Sequence, residues 1–107
     1  MNKAKLFIVI VKYIAPIEEV EKHLDAHSAY LQQYYDHDVF LASGRQVPRF
    51  GGIILAKANS RQNLYDILAE DPFYQNLCAE YQVHEFAANR SIPSFESFLK
   101  DVGINAE

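Results

Sequence analysis

The stretch Leu6-Phe7-Ile8-Val9-Ile10-Val11 decides the fold. It is β-branched and aromatic with no polar break, so as a strand it presents apolar side chains on both faces and both need cover. Six apolar residues fall far short of the roughly 20 that span a bilayer, so the run reads as the central strand of a sheet and not as a membrane segment. Downstream, Ile17, Val20, Leu24, His27, Leu31 and Tyr34 recur at spacings of three and four, the stripe of an amphipathic helix running to about Tyr35. Pro16 suits its first turn, and Glu18, Glu19 and Glu21 favour its N-terminal pole. Val39 to Ser43 reads as a short strand. Ser43 to Gly52 reads as a loop with glycines at both ends, and Ile53 to Ala58 as the next strand.

Ser60 is a good N-cap for a second helix through about Glu70, with Leu64, Ile67 and Leu68 inward. Asp71-Pro72 interrupts it, because the proline ring clashes with a continuing helix; a short helix over Phe73 to Ala79 is expected to follow. Tyr81 to Ala88 reads as the last strand. Phe95 to Val102 reads as a tail helix capped by Ser94. The order is therefore βαββαβ plus a tail, an α+β, ferredoxin-like sandwich with both helices on one face of the sheet. We expect a single domain over 1–107, with its core at about 5–88 and a tail at 89–107. One face of that sheet would be bare, and an apolar bare face is unusual on a monomer, so a second copy is its expected cover: a homodimer packed sheet to sheet.

Composition narrows the partners. The 107 residues carry 10 Lys and Arg against 14 Asp and Glu, a net charge of −4, with no basic face for phosphates. Nucleic acid is excluded as a first expectation, and so is a membrane. One cysteine, Cys78, forbids an internal disulfide framework and a Cys-rich zinc module, in keeping with a reducing, cytoplasmic setting.

His27 stands within the apolar stripe, so its helix carries an imidazole toward the sheet, where it needs a partner. Two readings are open: a core histidine bonded to a backbone carbonyl, or a general acid/base. Asp71 follows a helix C-terminus, where the macrodipole disfavours a carboxylate. It is either the N-cap of the next turn, with Pro72 at the first helical position, or an orienting partner for an imidazole. Helices side by side on one sheet allow the two to meet. His23 and His27 are four apart, a spacing that suits zinc, but no Glu follows His23 as a metalloprotease motif requires; no metal is expected. The Ser43-Gly44 and Gly51-Gly52 pairs bracket a loop able to hold an anion with backbone N–H groups, and equally able only to shape turns. The tyrosines read mostly as boundary packing, and Cys78 as a small buried hydrophobe.

At these residues the chain resembles the YciI-like (YCII-related) family. The carriers are His23-Leu24-Asp25-Ala26-His27-Ser28-Ala29-Tyr30-Leu31, Phe40-Leu41-Ala42-Ser43-Gly44, Gly51-Gly52-Ile53-Ile54-Leu55-Ala56, Asp71-Pro72-Phe73 and Glu80-Tyr81 leading into Glu85-Phe86. The resemblance implies a dimeric α+β barrel, an active-site pair carried over to His27 and Asp71, and substrate contacts from Ser43, Gly44, Pro72 and Phe73. It further implies cofactor-independent lyase chemistry, as in dehydrochlorination of a chlorinated hydroquinone, or, more distantly, isomerisation of a lactone. Three positions depart from the family's pattern: Ser28 replaces an Arg after the helix His, Arg45 a Pro after Ser-Gly, and Phe50 a small hydroxyl residue before the glycine pair. The expected function is a small-molecule lyase or isomerase working through a His27/Asp71 proton-transfer dyad. The alternative is a non-catalytic dimer that binds a small ligand, with the pair a buried hydrogen bond only.

Overall fold

The computed structural model describes residues 4–104. Its elements run β1 (Lys5–Tyr13), α1 (Ile17–Lys22), α2 (Leu24–Asp36), β2 (Phe40–Arg45), β3 (Gly51–Ala58), α3 (Arg61–Leu68), α4 (Pro72–Gln75), β4 (Ala79–Glu85) and α5 (Pro93–Asp101). The four strands form one antiparallel sheet in the order β2-β3-β1-β4, the ferredoxin-like arrangement expected from the order of elements. β1 is central, with β3 and β4 on either side. No helix among the described residues is long and apolar enough to cross a membrane.

The two faces of β1 meet different neighbours. Phe7, Val9 and Val11 are buried beneath the helices together with Val20, Tyr30, Leu64, Leu68 and Phe73. Tyr30 fixes the helix layer, its O–H donating to the Ile67 carbonyl at 2.7 Å and so tying α2 to α3. On the other face Leu6 packs with Leu99, Ile104 and Ala88, with Leu41, Leu55 and Phe95 around them. The tail thus covers one end of the face expected to be bare. The Lys57 Nζ, donating to the Val102 carbonyl at 2.8 Å, holds it there. Toward the other end Ile8 and Ile10 are only partly covered and Ile53 is 44% exposed.

Several boundaries differ from the sequence expectation. The first helix is not continuous: His23 adopts φ −110° and ψ 8°, off helical values, and divides it into α1 and α2. In the second segment the one buried residue is Tyr30, which is absent from the expected stripe. The break also takes His23 and His27 off one continuous helix face. The strand expected to end at Ser43 extends to Arg45, and the next begins at Gly51, so the loop is a hairpin connection of residues 46–50. Gly51 is required there: a Cβ would come within 1.8 Å of the Val11 carbonyl oxygen. The short helix spans Pro72–Gln75, and the last strand runs from Ala79 to Glu85. Ser94 does not cap the tail helix. Ile92 is the N-cap with Pro93 at the first position, because proline has the right φ and no N–H to satisfy. Ser60, as expected, caps α3 by accepting from Asn63 N at 3.0 Å.

Candidate active site

α2 and α3 lie side by side, and their ends bring together residues 44 apart in sequence. The His27 Nδ1 lies 2.8 Å from Asp71 Oδ1. Asp71 is fully buried and the His27 side chain is 14% exposed. Asp71 Oδ1 also accepts from the Phe73 N–H at 2.9 Å, capping α4, and Oδ2 accepts from the Tyr81 O–H at 2.6 Å. The capping and partnering readings of Asp71 are therefore not exclusive; one carboxylate makes both contacts. Three donors converge on it, which offsets both its burial and its position just beyond the C-terminus of α3.

An ionised carboxylate only accepts, so Nδ1 carries the proton and Nε2 is the ring's free lone pair. No side-chain nitrogen or oxygen among the described residues is both buried and unpartnered. The ring bonds through Nδ1, which leaves Nε2 to the open side. Phe73 stacks on the imidazole with ring centroids 3.9 Å apart and 7° between planes, and Tyr13 meets Phe73 edge-on at 5.9 Å. Hydrogen bond and stack together restrict the ring's two torsions.

The open side is a cavity of about 360 Å³. His27 lines it beside Leu24 and Leu31 of α2, Val11 and Tyr13 of β1, and Phe73. β2 and the hairpin contribute Ser43, Gly44, Arg45 and Arg49 to its wall. Ser43 Oγ is hydrogen-bonded to the Tyr35 hydroxyl, which fixes that wall against α2. Of the substrate contacts expected from the sequence, Ser43, Gly44 and Phe73 share the cavity with His27. Pro72 does not line it; it is the first residue of α4. Among the described residues no group of three or more His, Cys, Asp or Glu is placed to hold a metal.

Tyr81 is the residue that sequence reasoning passed over. It lies on β4 opposite Val11, on the same side of the sheet as Val83, and that parity was its one local signal. Burial and the Asp71 charge push its phenol well above the ordinary tyrosine range, so it stays a donor. Burial likewise pushes the Cys78 thiol up, in keeping with an inert, packed cysteine.

Comparison with known proteins agrees with this architecture. Among solved structures, 5-chloro-2-hydroxyhydroquinone dehydrochlorinase from Burkholderia phenoliruptrix, in complex with 2,5-dihydroxybenzoquinone, is similar with a TM-score of 0.63 at 18% identity, covering 74% of this chain and 90% of its own. The cofactor-independent oxygenase SnoaB from Streptomyces nogalater gives 0.49 at 13% identity, covering 85% and 98%. At 18% identity the first of these likenesses is one of fold alone. No curated protein matches the sequence. The sequence does match the YCII-related domain across residues 6–87. On that match, which spans all four strands and the helices between them, the chain belongs to the YCII-related domain family.

Proposed function

We propose that the cavity beside His27 is a substrate site and that His27 is the general acid/base of a small-molecule lyase or isomerase. One observation carries this reading: an imidazole held through Nδ1 to a buried carboxylate lines a cavity of about 360 Å³, with its Nε2 left without a hydrogen-bond partner among the described residues. Asp71 fixes the tautomer and stabilises the imidazolium formed when Nε2 takes a proton. In an elimination, Nε2 removes a proton from carbon, the C–H electron pair forms the new double bond, and a leaving group such as chloride departs with its own pair. In an isomerisation the same proton returns to a different carbon. Neither course calls on a metal or a redox cofactor.

The family and the fold support a small-molecule role at this coarse level. The test is a panel of chlorinated hydroquinones and unsaturated lactones incubated in D2O, read by halide release and by deuterium incorporation. Turnover by the parent and none by His27→Gln is the expected result. Ligands that shift the His27 resonances yet emerge chemically unchanged would favour the non-catalytic binding reading, which the capping bond from Asp71 to Phe73 also suits.

We also propose that two copies pair through the face bearing Ile8, Ile10 and Ile53. Ile10 and Ile53 sit directly opposite each other on β1 and β3, an apolar patch left open by the tail. Sedimentation equilibrium should give a dimer, and a monomer at micromolar concentration would overturn this pairing.

A further inference from the structure

The cavity carries charge as well as shape. Ser43 and Arg45 pair with Ile54 and Gly52, which pair in turn with Val9 and Val11. Partners across antiparallel strands project to the same face, so the register carries Arg45 to the His27 side of the sheet. Arg49 reaches the same place from the hairpin, its guanidinium 5.9 Å from the centre of the Tyr13 ring. The hairpin holds this position through Gln46 N–H donating to the Gly51 carbonyl at 2.8 Å and Tyr13 N–H donating to the Phe50 carbonyl at 2.9 Å. None of the ion pairs among the described residues involves either arginine. Two arginines outside any of these ion pairs therefore line the same cavity as the imidazole, in a chain whose net charge is −4. Among the described residues, the carboxylate paired with the imidazole, Asp71, is buried, does not line the cavity and is engaged by three donors.

We propose that the site selects an anionic monocycle whose carboxylate or phenolate oxygen is received by Arg45 and Arg49. The ring lies against the apolar wall of Val11, Leu24, Leu31 and Phe73, within reach of His27 Nε2. A volume of about 360 Å³ is at the small end for ligand pockets and suits one ring with its substituents. A planar guanidinium matches a carboxylate in two parallel hydrogen bonds and a phenolate in one. When Nε2 removes a proton from the ring, negative charge spreads into a conjugated oxygen, and the same two cations stabilise it as it develops. This selection rests on the reading of the cavity as the substrate site.

The test compares charged and neutral probes of one shape in the full-length protein at low salt and about pH 8. Benzoate is paired with benzamide and pentafluorophenolate with pentafluoroanisole, and each is titrated while the His27 ring resonances are followed. The expected result is that an anion binds about tenfold tighter than its neutral partner, the ratio shrinking as salt screens the exposed guanidinium groups. A preference in one pair alone identifies the oxygen type received. Arg45→Gln with Arg49→Gln should abolish the preference, so that benzoate and benzamide bind with equal affinity. Equal affinity for anion and neutral partner, with His27 still shifting, overturns the selection and leaves the cavity as the site. If no probe shifts His27, the selection and the assignment of the cavity fall together.

Discussion

Replacing Asp71 by Ala and by Asn separates what its hydrogen bonds do from what its charge does. In Asp71→Ala, the His27 Nδ1–H, the Phe73 N–H and the Tyr81 O–H all lose their acceptor. Each buried donor left unsatisfied costs about 1–3 kcal/mol. Because the His27 ring and the Tyr81 hydroxyl are only partly buried and can recruit water, the total comes to about 3–5 kcal/mol. Asp71→Asn behaves differently. The Phe73 N–H requires an acceptor, so the amide oxygen stays on the side of Phe73 and His27, and the amide NH2 faces Tyr81. The Tyr81 hydroxyl can then turn from donor to acceptor, preserving all three contacts. Three charge-assisted bonds become neutral ones, at about 1 kcal/mol each, while the cost of burying an ion disappears. The net loss should stay below about 2 kcal/mol. Urea denaturation of the parent and both variants at neutral pH measures the difference. Equal destabilisation by Ala and Asn, or a loss under about 1 kcal/mol in Ala, would refute this account of the carboxylate.

Other perturbations test separate parts of the structure. The Tyr81 phenol is raised above the unfolded value of 10.0, so above that pH the unfolded chain releases its proton first and stability falls with rising pH. The contribution is present in full below pH 10.0, and Tyr81→Phe should flatten the alkaline decline by up to about 1.4 kcal/mol per pH unit in urea midpoints between about pH 9 and 11; an unchanged slope would count against the buried phenol. Gly51→Ala would force a Cβ to 1.8 Å from the backbone oxygen of Val11, which no side-chain rotation relieves, at a cost of about 2–4 kcal/mol. Gly44→Ala meets nothing within 4 Å and should stay within about 0.5 kcal/mol in the same denaturation assay, so a similar loss in both would contradict the register of the hairpin.

What the sequence discloses and what it hides divide along the range of the interactions. The six apolar residues from Leu6 place β1 in the middle of the sheet, because a strand without a polar face has no other site available. His27 is legible because a polar ring inside an apolar stripe is a local contradiction, and Asp71 because Asp-Pro must end one helix and can start another. The break at His23 is not legible: neither glycine nor proline marks it, and the stripe continues through it with only its phase altered. Tyr81 is hidden for another reason. Its role depends on a hydroxyl meeting a carboxylate across the turn between α4 and β4, whereas periodicity reports only which face a residue takes. Arg45 is visible as a departure from the family's pattern, but its aim, like that of Arg49, follows from strand register and hairpin geometry, both tertiary. The tail's place on the second face of the sheet is likewise fixed by long-range packing with Leu6 and Leu55.

For His27 to act as the base, its proton must sit on Nδ1 and a free lone pair on Nε2 must face the cavity. Long-range 1H–15N correlation of the histidine rings in 15N-labelled protein, recorded at a pH where His27 is neutral, reads the tautomer directly. The expected result is a protonated Nδ1 and a bare Nε2 in the parent, the same tautomer in Asp71→Asn, and a mixture in Asp71→Ala. A parent protein with the proton on Nε2 would contradict that role for His27, because the ring would then present a donor and not a base to the cavity.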